Sequence, residues 1–175
     1  MRTENAPQTK FLKDYKKPDF VIEDIYLTFD LRDGVTTVRA KTLFTRDNPQ
    51  ASSLTLDGQE LTLKSVSLNG EKLADNRYSV DDNSLTIHDV PDAFTLEIEN
   101  DIHPEKNTTL EGLYNSGGNY CTQCEAEGFR KITYYLDRPD VMTKFTTPIE
   151  ADKKYPVLRP EEPRVGKEGR SRGRS

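Results

Sequence analysis

No stretch of this 175-residue chain is apolar for long enough to cross a bilayer as a helix, which excludes a helical membrane span within it. Met1 to Lys17 is polar throughout and lacks the charged-then-apolar order of a signal peptide, so a cytoplasmic location without a membrane partner is expected. Cysteine is nearly absent. Cys121 and Cys124 form a single C-x-x-C pair, the spacing of a redox motif or of half a zinc site. A structural zinc needs four ligands, and His88 and His103 lie in unrelated segments, so the two thiols are expected to be ordinary ones and no metal site is expected. Sustained 3.6-residue periodicity is missing too. The one helix candidate is a turn or two over Arg138 to Lys144, opened by Asp137 beside a proline. No fixed-period repeat points to a solenoid or a propeller.

What is present is very polar: 33% hydrophobic residues against 31% charged, with a mean hydropathy of -0.80. The net charge of -5 is uneven, because Arg164 to Ser175 holds five basic residues and one acidic residue, Glu168. The body is therefore more acidic than the total, which argues against a nucleic-acid partner, since such surfaces neutralise phosphates with lysine and arginine. Beyond Pro156 the sequence becomes rich in Pro, Gly, Ser and Arg and cannot repay the entropy of ordering. A polar arm over 1–17, one folded unit over 18–158 and a disordered basic tail over 159–175 are expected.

The folded part reads as all-β. Ile25 to Leu31 alternates apolar with mostly polar residues, the signature of a half-buried strand. After the turn residues Asp33 and Gly34, the β-branched run from Val35 to Phe44 completes a hairpin. Short alternating segments follow at Leu54–Leu56, Leu61–Leu63, Val66–Leu68, Tyr78–Val80, Leu85–Ile87 and Phe94–Ile98. Asn69-Gly70 between two of them is a tight-turn signal, because both residues tolerate positive φ. Strands this short and this regularly spaced predict an antiparallel β-sandwich.

From Asn107 to Pro148, glycines, aromatics and charges crowd without a period, as in loops that carry chemistry. Thr122 to Glu125 reads as a short extended piece, which puts Gln123 and Glu125 on one face. A carboxylate beside an amide oxygen is a sound acceptor pair for an ammonium group. The plainer alternative is that Glu125 pairs with Arg130 or Lys131 while Gln123 caps a loop.

The strings Leu110-Glu111-Gly112-Leu113-Tyr114-Asn115-Ser116, Thr122 through Arg130 (TQCEAEGFR), and Tyr135-Leu136-Asp137-Arg138-Pro139-Asp140 resemble the aminopeptidase N family of M1 zinc metallopeptidases. Pro18-Asp19-Phe20, Leu56 through Leu61 and Asn69-Gly70-Glu71 agree, and the resemblance extends over roughly residues 10 to 158. It implies a saddle-shaped amino-terminal β-sandwich that packs on a thermolysin-like catalytic domain and scaffolds it. It further implies that Gln123 and Glu125 line the active-site pocket, with Glu125 holding the substrate's free α-amino group. Peptide amino termini and the catalytic domain are the partners so implied. Arg130, Asp137 and Arg138 fall to structural support of the loop, and Tyr134 and Tyr135 to packing at the junction.

Zinc is the family's cofactor, bound through H-E-x-x-H with a further Glu, and a Gly-Ala-Met-Glu-Asn strand also grips the amine. Neither motif occurs in this sequence. The chain by itself is therefore expected to bind no zinc and to hydrolyse nothing. After Leu158 the resemblance stops where the family continues into another strand, so a truncated or frameshifted reading frame is expected, with an open sheet edge and an exposed apolar junction face. The alternative is a stand-alone, non-catalytic β-sandwich that binds peptides or a partner protein.

Overall fold

The computed structural model describes residues 15–155 together with Lys13; the tail expected over 159–175 and most of the arm expected over 1–17 lie outside the described residues. Twelve strands form the described fold: β1 (Phe20–Leu31), β2 (Thr36–Arg46), β3 (Leu54–Asp57), β4 (Thr62–Leu68), β5 (Glu71–Lys72), β6 (Tyr78–Val80), β7 (Ser84–Ile87), β8 (Ala93–Ile102), β9 (Gly112–Ser116), β10 (Asn119–Gln123), β11 (Lys144–Thr146) and β12 (Ile149–Ala151). A large sheet runs β11-β1-β2-β8-β4-β5, with β12 also on β1. A smaller sheet, β3-β7-β6, forms a second layer, and β9-β10 is a separate hairpin. The all-β sandwich is the observed architecture.

Alternation does the sorting. Along β8, Phe94, Leu96, Ile98, Asn100 and Ile102 are buried, while Thr95, Glu97, Glu99 and Asp101 face outward. Leu54, Leu56, Leu85 and Ile87 of the small sheet meet them from the other side and are buried almost completely. Phe44 stacks on Phe94 at 5.4 Å between ring centroids, and Phe20 meets Phe94 edge-on at 6.1 Å. The outer face of the large sheet is a ladder of ion pairs, Arg39 with Glu99 at 2.9 Å and Lys41 with Glu97 at 2.8 Å. Exposed pairs of this kind contribute little stability and chiefly keep the face solvated.

Asn69 and Gly70 have φ of +53° and +86°, which only a turn of the type expected from the Asn-Gly dipeptide uses, and Leu68 faces Glu71 across it. The expected helix over Arg138 to Lys144 does not form. Asp137 is buried and its carboxylate accepts from Arg130 instead of capping a helix, while Arg138 folds back on Asp140, so a single turn closed by Val141 N–H to the Arg138 carbonyl replaces it. The chain then enters β11 and β12, which run parallel to β1.

One buried polar pair pins the segment after the hairpin to the large sheet. Asn100 donates to the Ile132 carbonyl at 3.0 Å and accepts from Thr133 Oγ1 at 2.9 Å, and both side chains are fully buried. Replacing Thr133 with Val removes the donor and leaves the Asn100 oxygen unsatisfied. The expected loss is about 1–2 kcal/mol, read by urea unfolding; an unchanged midpoint would mean that this bond contributes nothing.

Candidate functional site

The Gln123–Glu125 loop is shaped by two glycines in contact. β9 and β10 pair so that Gly112 faces Gln123. A Cβ on Gly128 would lie 2.7 Å from the Gln123 carbonyl oxygen, and one on Gly112, whose φ is +71°, would lie 2.8 Å from Lys131 Cβ. No larger residue fits either position without moving backbone. Just before Gly112, Leu110 is itself left-handed at φ +61°, and Asn107 holds this turn by donating to the carbonyls of Glu111 and Leu113 at 2.6 and 3.0 Å.

The strand expected to carry both Gln123 and Glu125 ends at Gln123. Residues 125–128 form a turn, closed by Gly128 N–H on the Cys124 carbonyl at 2.9 Å, so the two side chains do not alternate along one strand. They are brought together differently: Gln123 Nε2 donates to the backbone carbonyl of Glu125 at 3.1 Å, and both side chains are exposed. That bond fixes the amide against the turn and leaves the Glu125 carboxylate, for which no ion pair is formed among the described residues, facing solvent.

The two cations that could have neutralised Glu125 are engaged elsewhere. Arg130 gives Nε to Asp137 Oδ2 at 2.8 Å, its backbone N–H to the same oxygen at 3.1 Å and Nη2 to the Asp137 carbonyl at 3.0 Å, with Glu127 at 3.5 Å and Asp57 at 3.9 Å completing its shell. Lys131 is buried and donates to Thr109 Oγ1 at 2.9 Å between Glu111 at 3.2 Å and Glu60 at 3.4 Å. Pairing of Glu125 with either is therefore not what forms. Arg138 stands apart from Arg130 and Asp137: it binds Asp140 through two nitrogens at 2.8 and 2.9 Å, donates to the Lys16 carbonyl at 2.7 Å, and lies over the Tyr15 ring.

The base of the loop is fastened to the small sheet. Asp57 and Tyr135 exchange backbone hydrogen bonds at 2.8 and 3.0 Å, and Asp137 N–H donates to Asp57 Oδ2 at 3.1 Å. Tyr134 lies against Gly58, where a Cβ would come within 2.2 Å of its ring. Both tyrosines are buried within this chain. The roles of Lys131, Glu60, Thr109 and the two glycines were not read from the sequence, although the spacing of Gly112 and Gly128 around the hairpin is the trace they leave there.

Cys121 and Cys124 are free, and His88 and His103 contact Ser79 at 3.5 Å and the Gly34 carbonyl at 2.8 Å. Among the described residues no group of three or more His, Cys, Asp or Glu is placed to hold a metal, so the residues do not fit a zinc centre. Burial, with the Asp137 carboxylate adding to it, pushes the Cys124 thiol up. Its thiolate fraction at neutral pH is correspondingly small, and alkylation by iodoacetamide at Cys124, followed by mass spectrometry, should run at least about threefold slower than for free cysteine; a faster rate would contradict the geometry. A depression of about 270 Å³ between Tyr26, Lys41, Ser67 and Glu97 lies on the outer face of the large sheet, and neither Gln123 nor Glu125 lines it.

A family model of the peptidase M1 N-terminal domain matches residues 22–165. The chain belongs to that family. Aminopeptidase N of Escherichia coli is 51% identical to this M1 N-terminal domain over 153 residues, covering 87% of the chain and 17% of the relative. Aminopeptidase N of Haemophilus influenzae is 50% identical over 155 residues, covering 86% and 18%. The chain thus spans less than a fifth of the length of the relatives it matches. Among solved structures, aminopeptidase A of Legionella pneumophila in complex with aspartic acid superposes with a TM-score of 0.79 at 32% identity, over 85% of this chain and 18% of that one. An M1 zinc metallopeptidase of Deinococcus radiodurans, at 16% identity and a TM-score of 0.64 over 75% of this chain and 32% of that one, shares the fold.

Proposed function

We propose that this M1 N-terminal domain supplies one wall of an aminopeptidase active site, with Glu125 receiving the free α-ammonium of a peptide and Gln123 orienting it. The observation that carries the proposal is the Glu125 carboxylate: exposed and with no ion pair among the described residues, while Arg130 and Lys131, the two cations that follow it in the sequence, are both committed to other acids. An unpaired carboxylate costs little in water and much once a second wall desolvates it, so closing the pocket would create a demand for a cation. A peptide amino terminus meets that demand and an acetylated one does not. Leu110 and Met142, 55% and 84% exposed, are large apolar side chains on the segments flanking the loop, and suit burial by the catalytic domain that this unit would scaffold.

Zinc and the catalytic base would come from segments outside this chain, and no chemical step is assigned to its own residues. The test is a graft: residues 22–155 replace the matching segment of the E. coli aminopeptidase N, and hydrolysis of an alanyl anilide is measured beside the isolated chain, both with zinc. Turnover by the graft and none by the isolated chain is the expected result. A folded graft without activity, or turnover by the chain alone, would sink the proposal. The other reading, a stand-alone peptide- or protein-binding module, has no observation of its own on the described surface.

A further inference from the structure

Asn-Gly is the dipeptide that most readily cyclises on itself, and it occurs once, at Asn69-Gly70 in the turn between β4 and β5. The glycine nitrogen attacks the side-chain carbonyl carbon of the asparagine. A C–N bond forms, ammonia leaves, and water opens the five-membered imide through one carbonyl to aspartate or through the other to isoaspartate. Asp-Gly closes the same imide by losing water, which requires the protonated acid. The structure separates the candidates. Gly70 N–H makes no backbone hydrogen bond among the described residues, Asn69 and Gly70 are exposed, and a Cβ on Gly70 would meet nothing within 4 Å, so the nucleophile is open. The nitrogen after Asp57 is occupied: Gly58 N–H donates to the Asn83 carbonyl at 2.9 Å, while Asp57 Oδ2 accepts from the Asp137 N–H. Asp33, before Gly34, is kept ionised by hydrogen bonds from Lys154 and Tyr155, which hold its carboxyl below the usual carboxylate range. Asn83 and Asn115 precede Ser84 and Ser116, whose side chains hinder attack and whose backbones lie in paired strands.

We infer that Asn69 is the chain's site of non-enzymatic deamidation and that its clip to Thr95 sets the rate. The Asn69 side-chain oxygen accepts from Thr95 N–H at 2.9 Å, and the Asn69 N–H donates to the Thr95 carbonyl at 2.8 Å. These two bonds turn the amide toward β8 instead of onto the Gly70 nitrogen. Attack therefore waits for the turn to open. β5 is only two residues long and pairs with β4 through Ser67 and Leu68, so this end of the sheet opens locally while the core stays folded. The two products differ in what they do to the fold. Aspartate preserves the turn, because a carboxylate oxygen accepts from Thr95 as the amide oxygen did. Isoaspartate lengthens the main chain by a methylene and breaks the register that sets Leu68 opposite Glu71.

The test incubates the 175-residue chain at neutral pH and physiological temperature, beside the same chain unfolded in urea and the free peptide Val66–Leu73, with peptide mapping by mass spectrometry. The unfolded chain and the peptide should deamidate at Asn69 at rates within about threefold of each other. The folded chain should do so at least about tenfold more slowly, yet residue 69 should still be the first asparagine it loses. Asn69→Gln should abolish that first event. Asn69→Asp should melt within about 2 °C of the parent, whereas the isoaspartyl form, separated by chromatography, should melt lower than both. A first loss at any other asparagine of the folded chain overturns the inference, as does an Asn69 that stays intact in the unfolded chain and the peptide. Equal rates in the folded and unfolded chains, or a folded chain that reacts faster, would show that the Thr95 clip does not govern the reaction and would overturn it too.

Discussion

Glu125→Gln in the grafted aminopeptidase should lower kcat/KM for an alanyl anilide by roughly 30- to 1000-fold, the equivalent of about 2–4 kcal/mol. The substitution keeps the size of the side chain and removes its charge, so the fold has little reason to respond. Glu125 is exposed in the free chain, and no described residue pairs with its side chain. The lost energy therefore reports on the substrate ammonium and on little else. Gln123→Ala should cost less, because the amide orients the turn through the Glu125 carbonyl and brings no charge. A variant within about threefold of the parent would leave Glu125 as a solvated surface carboxylate.

Asp137→Ala should be the most damaging single change to stability in this region. Asp137 is 7% exposed as a residue and takes two hydrogen bonds from Arg130 on one oxygen, while its own N–H reaches Asp57. Truncation leaves a largely buried guanidinium with the backbone carbonyl of residue 137 at 3.0 Å, Glu127 at 3.5 Å and Asp57 at 3.9 Å, and no close carboxylate. Breaking a buried pair from one side costs about 3–5 kcal/mol; the two remaining acids reduce that to roughly 2–4 kcal/mol, a fall in Tm near 10 °C. Arg138→Ala is the control. Its bidentate pair with Asp140 is partly exposed, where such pairs are worth about 0–1 kcal/mol. Equal melting shifts for the two variants would refute this division of Arg130 and Asp137 from Arg138.

The strands were legible wherever one face meets the core and the other meets water, because period-2 alternation is then enforced by burial. Legibility failed where that condition fails. β1 begins at Phe20, earlier than its alternation suggests, because the register shift between Ile22 and Ile25 places Glu23 and Asp24 in succession and breaks the pattern. The edge strand over 144–151 carries Pro148 and half-exposed apolar residues, and alternation alone could not separate it from a loop. The expected helix before it failed because distant partners hold both residues that would open it, Asp57 binding the Asp137 N–H and the Lys16 carbonyl binding Arg138.

Of the site, the sequence showed the residue types and their neighbourhood but not their geometry. Arg130 and Asp137 meet seven positions apart on backbone that is neither α-helix nor strand, so the contact follows from no regular periodicity of the chain. Lys131 finds Glu60 from a distant turn, which no local pattern records. Without the family resemblance, Glu125 paired with Arg130 or Lys131 was the simpler reading; the structure commits both cations elsewhere.

The measurement that goes most directly to Glu125 is competitive inhibition of the grafted enzyme by one short peptide in two forms, with its amino terminus free and acetylated. With Glu125 in place the free form should bind at least about thirtyfold more tightly than the acetylated one, and Glu125→Gln should shrink that ratio to within about threefold of unity. A ratio that survives the substitution undiminished would contradict the assignment and place ammonium recognition wholly outside this chain.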